Sequence, residues 1–471
     1  MSLRERIAKI LVLAGAVIAV ACFCAADSRG RADTIYVRAG DRDIAVYQDD
    51  TGAYLFLPSG VSEGELRYSR EAEEIAPEIC QSANLPALFI STASGNLDGV
   101  YADREYRETG KIRAYDSGGN LVYAGGLEGI KGRGNYSWYT EEWEKKSFSV
   151  RIDKNVSLLG QPAGGRFALL ANASDDTLMR NDIGRALQVC MGMRYARRGI
   201  FTDLYINGGY MGVYYLCASV DTGEDRIDIS TRDPGGEGGF LIEREFTERY
   251  ELEMAKRSAG FVTSRKEHFV IHDPGYAAQE EIDAVRAFME RAETAILSPN
   301  MPYEDYVDKA SFARTYLTEE LLKNYDGGVS SAYYYRDDRA DGRLFAAPGW
   351  DYDMSLGSYL EWMDEDPGQE LRMYPYEGGS IWFKALYERE DFRNEVTDLY
   401  HKYREEFARI LNCEGPENRP LGEASYRMEY LRWRSMYDGR GRIPGSEEAF
   451  QLLTGFGRTR MLFLDTIWIT G

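Results

Sequence analysis

From Thr34 to about Arg70 short apolar runs, Ile35-Tyr36-Val37 and Tyr54-Leu55-Phe56-Leu57-Pro58, are separated by Asp and Gly turns, which predicts a small β appendage. The charged stretch Glu71 to Glu78 follows as a linker or short helix. Strand-like runs resume at Ala87–Ser91 and Lys111–Tyr115. Lys145-Lys146-Ser147-Phe148-Ser149-Val150-Arg151-Ile152 alternates as a strand does, with Lys146 on the side of Phe148, Val150 and Ile152. Leu178-Met179-Arg180-Asn181 opens a helix with Asp175 or Asp176 as its N-cap. Leu204 to Leu216 reads as a β-hairpin turned by Asn207-Gly208, and Ala332–Asp337 with Leu344–Ala347 as a second ribbon. Behind residue 276 the texture changes. Ala277–Leu297, Phe312–Leu322, Phe383–Leu411, Tyr426–Met436 and Ala449–Phe463 carry apolar residues at helical spacing. A β-rich front half and a helical back half make an α+β chain, without internal repeat or low-complexity tract.

The apolar run Ile10–Ala26, behind Arg4, Arg6 and Lys9, has the form of a secretory signal and predicts export. Ala19-Val20-Ala21-Cys22 is close to a lipoprotein cleavage site, so lipidation at Cys22 and an uncleaved anchor are the alternatives. No later run is apolar for long enough to span a bilayer.

Composition narrows the chemistry. A net charge of −21, with basic residues spread along 471 positions, argues against a nucleic-acid binder, which needs clustered Lys and Arg. His268, His272 and His401 are the only histidines, too few for most zinc or Ser-His-Asp sites. Cys80, Cys190, Cys217 and Cys413 are too dispersed for a disulfide scaffold and read as buried thiols. Carboxylate, lysine and arginine chemistry remains.

The second ribbon would bring Asp326, at its entrance, close to Asp351 and Asp353 at its exit. Three carboxylates there suit a hard divalent cation holding a phosphate-bearing substrate. Lys131-Gly132-Arg133-Gly134-Asn135 is a Gly-broken turn able to offer N–H groups to phosphate oxygens. A half-buried Lys146 needs an anion, and a nucleotide phosphate would serve. Singly, each has a plainer explanation: a turn, a solvated strand end, an ordinary hairpin, a core Trp350 with capping aspartates.

In their order along the chain these segments resemble the spore-coat CotH kinase family, secreted or surface-associated proteins with a divergent protein-kinase-like fold. The resemblance runs from about Leu85 to Gly357, with a looser helical tail to about Trp468. Its elements are the Lys-Gly-Arg-Gly-Asn turn, the paired-lysine strand, the helix start from Asp175 to Asn181, the hairpin from Asn207 and the Trp350-Asp351-Tyr352-Asp353 close. It implies a two-lobe kinase-like fold: residues 1–26 as signal or anchor, 27–84 as β-rich segment and linker, 85–360 as the catalytic region and 361–471 as its helical part. It further implies transfer of the ATP γ-phosphate to Ser or Thr of a protein substrate with Mg²⁺, Ca²⁺ or Mn²⁺ being alternatives. On that reading Lys146, with Lys145 as second choice, contacts ATP phosphates, and Asp326 is the catalytic aspartate. Asp351, with Asp353 as second choice or co-ligand, holds the metal, while Arg133 and Arg180 make phosphate or structural ion-pair contacts.

Two departures stand out. Ser331 occupies the place where many relatives carry an asparagine, which puts a second metal in question, and Gly349 replaces the more usual apolar residue before Trp350. Two other readings of the same residues are a non-catalytic envelope or coat protein that binds a cell-wall or polysaccharide component through its tyrosines and tryptophans, and a Ca²⁺-stabilised scaffold. The acidic stretch Tyr359 to Tyr374 is a solvated connection or a docking surface for a basic peptide.

Overall fold

Strand Ser147–Val156 buries Phe148, Val150 and Ile152 and exposes Arg151 and Asp153, the period of two that the sequence carries. It pairs antiparallel with Leu121–Arg133 on one side and Gly164–Leu170 on the other. Pairing continues through Gly209–Ala218, Ile200–Ile206, Ala87–Thr92 and Glu108–Tyr115 back to Leu121–Arg133, closing a barrel with no free edge. Only Ile200–Ile206 and Ala87–Thr92 run parallel. The hairpin turns through Asn207 at φ 52° and Gly208 at φ 85°, the left-handed pair that a two-residue turn of this type requires.

This computed structural model describes residues 34–134, 136–141, 143–230, 238–256, 259–275, 277–337, 339, 342–358, 366–372 and 381–470. The signal-like segment with Cys22, the turn residue Asn135, and all of the acidic stretch 359–374 except 366–372 lie outside them. Among the described residues no helix is long and apolar enough to cross a membrane.

The strands between Tyr36 and Gln81 form two three-stranded sheets, one centred on Tyr36–Ala39 and one on Gly52–Leu57. The charged stretch gives the helix Arg70–Ile75, capped by Ser69, and then the strand Glu78–Gln81. These two sheets share one apolar core with barrel residues Phe89, Tyr205 and Tyr210, and with Met428 and Leu431 from helix Glu423–Arg432. Phe56 packs on Tyr210 at 4.9 Å and Phe89 stacks on Tyr205 at 4.3 Å.

The chain divides into two compact units, and not by halves. The first holds the described residues up to Leu178 with Gly199–Ser219 and Pro420–Ser446; the second holds Met179–Arg198, Val220–Arg419 and Glu447 onward. The second has a five-stranded antiparallel sheet, ordered Gly260–Val262, His268–Asp273, Phe240–Glu245, Ala332–Arg336, Leu344–Ala346. Helices Arg180–Cys190, Lys309–Leu322, Glu390–Leu411 and Glu447–Trp468 pack together in it.

Two predicted helices are each broken in two. Phe383–Leu411 is Ile381–Tyr387 followed by Glu390–Leu411, because Arg389 is extended and its guanidinium donates to the carbonyls of Ala295 and Ser298 at the end of helix Gln279–Leu297. Tyr426–Met436 is Glu423–Arg432 and Arg434–Gly439, separated at Trp433, whose indole N–H donates to Met211 O at 2.9 Å. Most of the large fully buried side chains are tyrosines, Tyr205, Tyr214, Tyr334 and Tyr352 among them, so these rings serve the core rather than a stacking surface. Cys80, Cys217 and Cys413 are buried free thiols; Cys190 is half-buried, and burial pushes its thiol up to about 11.

Candidate active site

Asp326 is delivered by the end of a helix. Lys309–Leu322 begins at Asp308, whose carboxylate accepts from Ser311 N at 2.8 Å, and ends at Lys323 in the left-handed region, φ 46°. The chain then turns tightly, with Asp326 O accepting from Val329 N at 3.0 Å and Ser330 N at 3.2 Å. Two backbone bonds tie this turn to the segment after Trp350: Tyr325 N to Met354 O and Leu356 N to Leu322 O, both 2.9 Å. Between them Ala332–Arg336 pairs with Leu344–Ala346, as the sequence predicts.

The two ends of the ribbon are electrostatically coupled. Burial first, and then the negative charge of Asp351, push the Asp326 carboxyl up to about 6 against the opposing guanidinium groups of Arg249 and Arg372. Asp351 itself lies at φ 71°, a left-handed backbone that costs a non-glycine residue about 1–3 kcal/mol and persists only where its surroundings enforce it.

Helix Arg180–Cys190 supplies that enforcement. Arg180 donates to Ser355 O at 2.8 Å and Leu356 O at 3.1 Å, and Asn181 Oδ1 accepts from Tyr352 N at 2.9 Å. Arg185 lies over the Trp350 ring at 4.8 Å, and Gln188 donates to Tyr352 OH at 2.5 Å. These positions recur at helical spacing and form one face. Gly184 belongs to the same face, where an added Cβ would come within 2.2 Å of the Tyr352 ring. Gly349 is explained likewise, since a Cβ there would meet Tyr352 OH at 1.9 Å. Gly184→Ala is therefore expected to lower stability by about 1–3 kcal/mol through overpacking, despite a gain of about 1 kcal/mol in helix propensity; urea unfolding checks it. The helix start corrects one expectation. Its N-cap is Met179, while Asp175 accepts from Thr177 N and Oγ1, and Asp176 pairs with Arg442 at 2.9 Å.

Beside the ribbon stands a group that the sequence reading passes over. Strand Phe240–Glu245 buries Glu243 and Glu245. His272 Nε2 lies 2.6 Å from Glu243, Ser330 Oγ donates to Glu245 at 2.5 Å, and Arg249 reaches Glu245 at 3.3 Å. Burial and then the Glu243 charge push the Glu245 carboxyl up; burial opposes, yet the His272 bond and charge hold Glu243 down. Consecutive charges Glu243-Arg244-Glu245 closing an apolar strand are the signal that could have found them.

A cavity lined by Thr315, Glu319, Asn324, Asp326, Ser331 and Trp350, among others, opens at this point. Asn324 Nδ2 donates to Glu319 at 2.8 Å while its buried Oδ1 has no hydrogen-bond partner among the described residues. Burial pushes the Glu319 carboxyl up to about 8. The expected trio of carboxylates is corrected: among the described residues no three His, Cys, Asp or Glu side chains gather as a metal group. Asp353 contributes its backbone carbonyl to Ser358 Oγ at 2.6 Å. Asp351, in electrostatic reach of Asp326, with an orphan amide oxygen on Asn324 in the cavity that Asp326 lines, still fits Mg²⁺, which is commonly held by one or two carboxylates plus substrate phosphates.

In the other unit the two lysines differ sharply. The strand starts at Ser147, so both precede it. Lys145 has no exposed side chain: Nζ donates to Glu429 at 2.7 Å and Val213 O at 2.6 Å and sits 4.8 Å from the Tyr214 ring centre. Lys146 is half-buried and donates to Ser137 O at 3.2 Å and Thr140 O at 2.9 Å; burial lowers its ammonium to about 8, against Glu144 and Glu141. Lys131-Gly132-Arg133 is the end of a strand rather than a turn, and Gly134 after it lies at φ 93°. There Lys131 pairs with Glu105 at 2.5 Å, Arg104 donates to Gly134 O at 2.5 Å, and Arg133 reaches Ser149 Oγ at 3.4 Å.

The family model described as CotH kinase protein matches residues 130–411. The chain belongs to the CotH kinase family. Every site residue expected from the sequence lies inside the CotH span, and Glu429, the partner of Lys145, lies beyond it. Among solved structures the chain is similar to the proinflammatory kinase CtkA of Helicobacter pylori, at 10% identity over 68% of this chain and 94% of that one, with a TM-score of 0.29. No curated protein matches. CotH kinase membership points to ATP and a divalent metal as cofactors.

Proposed function

We propose that the chain is an exported protein kinase transferring the γ-phosphate of ATP to Ser or Thr hydroxyls of a protein substrate. The observation that carries this is Asp326 at the cavity wall, its carboxyl raised to about 6 beside the strained Asp351. A carboxylate poised near neutrality can accept the acceptor hydroxyl's proton as that oxygen bonds to the γ-phosphorus and the bond to ADP breaks. Asp351 would hold the divalent ion, which when bound neutralises phosphate charge, and leave Asp326 free to take the proton. Helix Arg180–Cys190 fixes the Asp351 segment, so Arg180 acts in positioning. Lys146 takes the phosphate contact, because among the described residues two carbonyls engage it and a third N–H remains to offer. Lys145, without exposure, serves as structure. The basic, apolar opening of the chain supports export, with Cys22 as a lipid anchor point.

Incubation with ATP labelled at the γ-phosphate should place label on the chain or on an added basic protein, dependent on a divalent metal and reduced at least tenfold in Lys146→Met. Label that persists in EDTA, or equally in Lys146→Met, counts against the reading.

A further inference from the structure

Ser331 stands five residues after Asp326, where the protein-kinase catalytic loop carries the asparagine that holds a second metal ion. A hydroxyl is a poorer ligand than an amide oxygen, and here it is engaged otherwise. Arg249, on helix Thr247–Met254, donates through Nη1 to Ser330 Oγ at 3.0 Å and Ser331 Oγ at 3.4 Å, and pairs through Nη2 with Glu245. Its guanidinium interacts with the charges of Glu245, Glu243, Asp351 and Asp326. Its buried Nε has no partner among the described residues, so one donor is left over.

We propose that Arg249 stands in for the second metal ion: its fixed positive charge, held on Ser331 and Glu245 beside Asp326 and Asp351, lets the chain work with one divalent ion per bound nucleotide. This rests on the kinase reading. A guanidinium on the hydroxyl that replaces the ligand asparagine repels a second cation and supplies part of the charge that cation would bring. Its planar fork also fixes the turn that follows Asp326, which a mobile ion on a serine hydroxyl could not do.

The test counts Mn²⁺ bound to the full chain in the presence of a non-hydrolysable ATP analogue, by equilibrium dialysis and electron paramagnetic resonance. One ion per chain is expected for the parent and for Ser331→Asn, in which the guanidinium remains. Two ions are expected for the double variant Arg249→Met with Ser331→Asn. Two ions in the parent or in Ser331→Asn overturn the proposal, and the parent count holds whether or not the double variant folds. One ion in a double variant that still melts cooperatively overturns it as well. Absence of analogue binding to the parent overturns the kinase reading and this proposal with it, whereas two ions with intact analogue binding overturn this proposal alone.

Discussion

Asp326→Asn is expected to lose phosphotransfer by about 10²–10⁴-fold and, at pH 7 in metal-free buffer, to be more stable than the parent. Loss follows because an amide cannot accept the proton of the attacking hydroxyl. The stability gain follows from the carboxyl itself. Burial and Asp351 raise it from 3.8 to about 6, so the folded chain favours the neutral form. Below about pH 4 both folded and unfolded chains hold that proton and the variant should match the parent. As pH rises through 4 to 6 the parent incurs a penalty that the neutral amide escapes, reaching at most roughly 2–3 kcal/mol above pH 6. Urea unfolding at pH 4 and pH 7.5 measures both limits. A variant less stable than the parent at pH 7.5 would show that the Asp326 charge supports the fold, contrary to its placement. Asp351→Asn provides the contrast. Asn tolerates a left-handed backbone better than most residues, so the segment should keep its shape, activity should fall, and the Asp326 carboxyl should return toward its ordinary value.

The gain in stability on removing an active-site charge connects the two aspartates to the ring of groups around them. Asp326, Asp351, Glu243 and Glu245 share one cationic neighbour in Arg249, and Arg372 adds a second near Asp326. A divalent ion would relieve the same repulsion. The strained φ of Asp351 and the raised Asp326 carboxyl are thus two costs held in one place, and helix Arg180–Cys190 and the bonds of Tyr325 and Leu356 bear them.

Legibility in the sequence follows distance along the chain. The ribbon between Asp326 and Asp351 is local, its alternation is local, and its two strands pair as read. Asn207-Gly208 specifies its turn for the same reason. The lysines show where periodicity stops being a guide: a period of two holds only inside a strand, and Lys145 and Lys146 precede Ser147. Lys145 is therefore the buried one, though alternation places Lys146 on the buried side. Arg249 and Glu429 are set by tertiary contacts with no local signature. Arg180 and Asn181 were visible as a motif, but their role is to hold the Asp351 segment, which only the packed helix reveals.

Glu429→Ala is expected to destabilise the β-rich unit by about 3–5 kcal/mol. Glu429 and Lys145 both have fully buried side chains, 2.7 Å apart. The carboxylate also accepts from Val213 N at 2.8 Å and Tyr437 OH at 3.0 Å, so truncation strands a buried ammonium and two donors at once. Gly212 shows how closely the pair is seated, since a Cβ there would come within 2.4 Å of Glu429 Oε2 and 3.3 Å of Lys145 Cε. Helix Glu423–Arg432 is thereby fastened to strand Gly209–Ala218, nearly at the far end of the chain from Lys145. Replacing the pair together, Lys145→Met with Glu429→Gln, removes both charges, keeps an amide oxygen to accept from Val213 N and turns an amide N–H toward Tyr437 OH, which can accept it. That double variant should recover to within about 1–2 kcal/mol of the parent, because a neutral buried pair escapes the desolvation that an unpartnered ion suffers. Urea unfolding of the two variants decides it: equal loss in both would mean that the pair contributes through its shape rather than its charge.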